Sequence, residues 1–151
     1  MQLATYLNDH LSGAVAALEL IEHLEHAHPD LAPFLKALRH DIEVDRKELE
    51  ALIARLGAGR STVRQAAAWF AEKFARLKLV ADDPAGGRLG RLEALEALAI
   101  GIHGKGSLWR ALKVVPAAAG TDYDRLIGRA DEQRDRIEAV RLEAAQAAFA
   151  V

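Results

Sequence analysis

The sequence predicts an all-α protein, an antiparallel up-and-down helical bundle with four long helices and one shorter helix. Three observations predict it. The composition is rich in Ala, Leu, Glu and Arg and only 5% aromatic, which favours helix over strand at almost every position. Apolar residues recur at steps of three and four, the period of one helical face. Punctuation by Pro, Gly and Asp divides this pattern into segments with short connections, and neighbouring helices joined by short loops run antiparallel.

The first helix is expected from Leu3 to Ala27, with Leu3, Leu7, Leu11, Ala14, Leu18 and Ile21 on its apolar side. It stops before His28-Pro29-Asp30, because proline disfavours helix in the residue preceding it. The second begins after Asp30, read as its N-cap, and carries Leu31, Leu35, Leu38, Ile42, Leu49, Leu52 and Leu56 before Gly57 and Gly59 end it. Ser61 offers a cap for a third helix, Thr62 to Leu79, which places Ala66, Phe70, Phe74 and Leu77 together. Asp82 to Gly87 is the most loop-like stretch.

The fourth helix runs from Leu89 to Lys113, with Leu92, Leu95, Leu98, Ile102, Trp109 and Leu112 on one side. Gly101, Gly104 and Gly106 interrupt it, at a cost of roughly 1 kcal/mol each relative to Ala. Ala97, Gly101 and Gly104 stack at steps of four and three, so close approach of a neighbouring helix is expected to offset that cost. After a linker from Pro116 to Thr121, a fifth helix follows Asp122 as far as Phe149. Its Tyr123, Leu126, Ala130, Ile137, Val140, Ala144 and Ala147 have the alternating spacing of a bundle seam. No internal repeat or low-complexity tail is present, and residues 1–151 read as one domain.

Composition excludes several function classes. A chain of 151 residues, 51% hydrophobic, is long enough to bury one sizeable core without a covalent staple. The absence of Cys removes disulfide scaffolds, thiolate zinc sites and Cys nucleophiles together. A formal net charge of -2 argues against a protein dedicated to neutralising phosphates, so no nucleic-acid partner is expected. The polar start, Gln2 to His10, has no leader pattern, and every apolar run falls short of a membrane span. Cytoplasmic residence follows as the expectation.

The informative positions are those where the helical count demands an apolar residue and a polar one stands instead. Asp45 falls between Ile42 and Leu49, Lys105 between Ile102 and Trp109, Gln133 between Ala130 and Ile137, and Lys73 between Phe70 and Leu77. Asn8 or His10 lies beside Leu7 and Leu11. A charge buried alone is costly, so these groups are expected to pair, with Lys105 or Lys73 on Asp45 and with Asn8 and Gln133 supplying hydrogen bonds. A ligand or metal pocket at the bundle centre is the competing reading, and long Lys side chains reaching out to solvent are the third.

Metal chemistry in a four-helix bundle needs a Glu from each of two helices and a Glu-x-x-His motif from each of the other two. Glu25-x-x-His28 occurs only at a helix end beside Pro29, His40-x-x-Glu43 has the reversed order, and the fifth helix has no His. Glu19, Glu22, His23 and His26 read as a solvated face. The segment from Gly101 to Ser107 fails as a phosphate loop, because Ala99 stands at the first glycine position and Gly106 at the hydroxyl position. Arg64, Lys73, Arg76 and Lys78 make the third helix basic, which reads as a solvated face backed by core aromatics. No nucleophile with a base and orienter emerges.

Four segments carry a resemblance. Tyr6 to His10, Asp41 to Arg46, Trp69 to Lys73 with Arg76 to Leu79, and Leu98 to Ile102 with Gly104-Lys105 and Leu108 to Leu112 resemble an uncharacterised bacterial helical-bundle family. The resemblance spans nearly the whole chain and implies a ferritin-like bundle with no assigned activity. The expected function is a non-enzymatic binding or stress-related structural role, without a cofactor, in a self-associating protein. The alternative is a ferritin-like oxidoreductase holding iron or another divalent metal on carboxylates such as Glu19, Glu43, Glu96 and Glu132.

Overall fold

The structure, a computed structural model, describes residues 2–59, 72 and 87–150. These residues form helices α1 (Gln2–Ala27), α2 (Ala32–Arg55), α3 (Arg88–Lys113) and α4 (Tyr123–Ala148), with 3₁₀ turns at Pro29–Leu31 and Pro116–Ala118. No strand occurs among them. The expected third helix, 62–79, and Lys73 with it, lies outside the described residues, as does most of the loop before Gly87.

Each helix end has a local cause. Pro29 opens a 3₁₀ turn and Pro33 stands in the first turn of α2, where its missing N–H costs nothing. This corrects the expectation for Asp30: α2 has Leu31 at its N-cap and no side-chain cap. The Asp30 carboxylate instead receives Arg91 Nη1 of α3 at 2.7 Å. Gly57, with φ +64°, ends α2 by donating to Ala54 O at 3.1 Å while Ala58 donates to Ile53 O at 3.0 Å. That double return is the Schellman arrangement, which needs a left-handed residue at this position. Asp122 caps α4 by accepting from Arg125 N at 3.1 Å.

The core has two parts. One contains Leu20, Ile21 and Leu24 of α1, Leu35, Leu38 and Ile42 of α2, Leu92 to Ile102 of α3, and Ile137 and Ala144 of α4. The other contains Leu7 and Leu11 of α1, Leu49 to Ile53 of α2, Leu108 to Leu112 of α3, and Tyr123 and Leu126 of α4. On α1 the deep positions include Leu20 and Leu24, whereas the expected Leu3, Ala14 and Leu18 are only half-buried. Ala147 is exposed. Buried residues on α1 occur around most of its circumference, so a single apolar stripe underestimates how enclosed this helix is.

The glycines of α3 correct a second expectation. A Cβ built at Gly101 or Gly104 meets nothing within 4 Å, so no helix of the described chain approaches there. Of Gly101, Gly104 and Gly106, only Gly106 is buried: a Cβ would stand 2.9 Å from Arg110 Nη1 and 3.5 Å from Ala130 Cβ. Arg110 folds over this glycine and reaches both carboxylate oxygens of Asp131 on α4, at 2.9 and 3.1 Å.

Candidate functional site: a buried ionic layer

Along α2, Ile42 belongs to one apolar cluster, Leu49 to the other, and Asp45 stands between them. Lys105 stands likewise between Ile102 and Trp109 on α3, and Gln133 between Leu126 and Ile137 on α4. The three polar residues therefore share one layer that separates the two halves of the core. Helical spacing alone places each on its inward face; the packing of three helices brings them to one level.

The layer is closed by hydrogen bonds. Lys105 Nζ donates to Asp45 Oδ2 at 2.6 Å and also to Gln133 Oε1. Gln133 Nε2 donates to the same Asp45 Oδ2 at 2.8 Å. Arg129 Nε donates to Asp45 Oδ1 at 2.8 Å, and its Nη2 reaches Asp41 O at 3.3 Å. The Asp41 carboxylate in turn receives Arg136. Asp45 is 2% exposed, Lys105 16% and Arg129 28%, so the anion is sealed while both cations keep an edge toward solvent.

Electrostatics follow from this enclosure. Burial works to raise the Asp45 pKa, but the Lys105 charge and the hydrogen bonds from Lys105, Gln133 and Arg129 outweigh it and hold the carboxyl below its usual range. For Lys105 burial is the largest influence and lowers its pKa, with Arg129 adding to that and Asp45 opposing it. Two cations share one central carboxylate. The layer is thus an anion held by more positive charge than it needs, the reverse of a cation-binding carboxylate cage.

Of the residues expected inward, the structure brings together Asp45, Lys105 and Gln133. Asn8 lies in the half of the core that contains Leu7 and Trp109, where its Nδ2 donates to Ala4 O at 2.8 Å and Gly59 O at 3.3 Å. Its Oδ1 and the Trp109 Nε1 are both buried and have no hydrogen-bond partner among the described residues. Sequence reasoning missed Arg129. Its signal was available: it precedes Gln133 by four residues and so shares a face with it.

The carboxylates of the metal alternative do not converge. Glu19, Glu43 and Glu132 are exposed, and Glu96 receives Arg141 Nη1 at 3.2 Å. Among the described residues no group of three His, Asp or Glu is placed to hold a metal ion. A half-open hollow of about 360 Å³ lies at the end of α2, lined by Leu11, Glu50, Ile53, Ala54 and residues 57–59. None of the ionic-layer side chains lines it. Among the described residues no helix is long and apolar enough to cross a membrane. The chain matches no protein-family model, no curated protein and no solved structure.

Proposed function

We propose that this chain is a non-enzymatic protein of structural or binding role, a ferritin-like bundle with antiparallel up-and-down helices whose centre serves to fix helix register. The observation that carries the reading is Asp45: both carboxylate oxygens are taken up by Lys105, Gln133 and Arg129. A carboxylate engaged in this way has little capacity left for a metal or a substrate proton. Its removal from the layer would strand two cations, so the network rewards one alignment of α2, α3 and α4 and penalises slipped ones. The Cys-free composition supports residence in the cytoplasm.

The test is metal analysis of protein purified without a histidine tag, followed by anaerobic Fe(II) loading and exposure to oxygen. The reading predicts substoichiometric metal and no ferroxidase absorbance change. Stoichiometric iron with oxygen-dependent turnover would replace it with the oxidoreductase reading on Glu19, Glu43, Glu96 and Glu132.

A further inference from the structure

We propose that the solvent-facing side of α3 is the contact between two copies of this chain, packed antiparallel about a two-fold axis at residues 101 and 102. The proposal is independent of the ionic layer, which lies on the opposite side of the helix. Leu89, Ile100 and Val114, at 47%, 73% and 80% exposure, are the exposed large hydrophobic residues of α3 and its C-cap. They fall on one line. Positions 89, 93, 96, 100, 103, 107, 110 and 114 follow alternating steps of four and three, the spacing of a helix–helix seam.

That series reads in a self-complementary way. An antiparallel partner with its axis between residues 101 and 102 sets position 89 against 114, 93 against 110, and 100 against 103. Leu89 then meets Val114 of the partner subunit at both ends of the contact. Glu93, half-buried, meets the exposed Arg110 of the partner subunit, whose Nη2 stays on Asp131 of its own chain while its other guanidinium N–H groups take the acid, so acid opposes base twice in one isologous interface. A parallel pairing would set Glu93 against its own copy. Charge therefore selects the antiparallel arrangement.

One glycine supports the same contact. Gly104 follows Ile100 by one turn, yet a Cβ there meets nothing within 4 Å. Inside the described chain its helix cost of about 1 kcal/mol is uncompensated. Beside Gly104 the helix surface is low enough for the partner subunit's Ile100 to seat between turns. Helix α3 has 26 residues and so spans about 39 Å. A contact confined to one helix pair is at the small end of specific interfaces, so the dimer is reversible.

Sedimentation velocity of the full chain over a rising concentration series tests this. The wild type is expected to show a monomer–dimer equilibrium, and Ile100→Glu or Glu93→Arg to weaken it about tenfold or more, equivalent to roughly 1.4 kcal/mol. Circular dichroism checks that each variant is folded. Because the chain has no Cys, introduced thiols report register: Leu89→Cys with Val114→Cys should give disulfide-linked dimers, and neither substitution alone should. A chain that stays monomeric at millimolar concentration overturns the proposal. So does a dimer indifferent to both charge variants, or one cross-linked by Leu89→Cys alone.

Discussion

Asp45 on α2 and Lys105 on α3 meet at 2.6 Å, 60 residues apart in sequence, at the level where one apolar cluster gives way to the other. The two partners are not energetically equivalent. Without Lys105, Asp45 still has Arg129 and Gln133; without Asp45, two cations and an amide face one another. Asp45→Ala is therefore expected to cost about 3–5 kcal/mol and Lys105→Met clearly less. Urea unfolding with a common m-value ranks them; equal or reversed costs would contradict the asymmetry.

The pH dependence has a definite sign. Asp45 binds its proton more weakly in the folded chain than in the unfolded one, so its contribution is complete above the usual carboxylate range and is lost as pH falls through its folded pKa. His10 and His28 also have lowered pKa values, chiefly from burial. Both favour the neutral ring in the folded state, so they contribute in the same direction at higher pH, beginning below about 6.5. Stability should fall in an early shallow phase and a later acid phase. Asp45→Asn should shrink the later phase, to which Asp30 and Glu138 also contribute through their Arg91 and Arg141 hydrogen bonds, while leaving the early one, as read by thermal unfolding from pH 7 to 2.

Gly101, Gly104 and Gly106 of α3 should respond to alanine to different extents. Gly101→Ala and Gly104→Ala meet open space and should stabilise the folded chain by up to about 1 kcal/mol each through helix propensity. Gly106→Ala displaces Arg110 from its seat against Asp131, so its gain should be smaller or absent. Thermal unfolding of the three single variants at low protein concentration separates these outcomes.

The start of α4 gives two smaller tests. Asp122→Ala removes the cap on Arg125 N and should cost about 1 kcal/mol. Tyr123→Phe deletes the hydroxyl that donates to Ala118 O at 2.6 Å and leaves that buried carbonyl short of a donor, again a loss of about 1 kcal/mol. Hydrogen exchange should show the added opening in the first turn of α4 for the cap variant.

Helix type and extent were legible because Leu, Ala and Glu at helical spacing leave little choice, and Pro29, Gly57 and Asp122 mark ends by local chemistry. The inward placement of Asp45, Lys105 and Gln133 was legible for the same reason: each interrupts an otherwise apolar series. Their convergence was not, because spacing along one helix says nothing about axial level on another. Arg129 escaped notice because its long side chain reaches inward from the flank of α4. Gly101 and Gly104 misled because small residues mark space for a neighbour without saying whether that neighbour belongs to the same chain. Asp30 misled because a proline in the first turn starts α2 one residue later and frees the carboxylate for Arg91.

The most direct test of the central claim, that the middle of the bundle is a closed ionic layer, is a double-mutant cycle at Asp45 and Lys105 measured by equilibrium urea unfolding. The account predicts strong coupling: Asp45→Ala costs about 3–5 kcal/mol, and replacing both residues with apolar side chains of similar volume recovers much of that loss. Two losses that add to within about 0.5 kcal/mol would mean the residues do not act together and would contradict it.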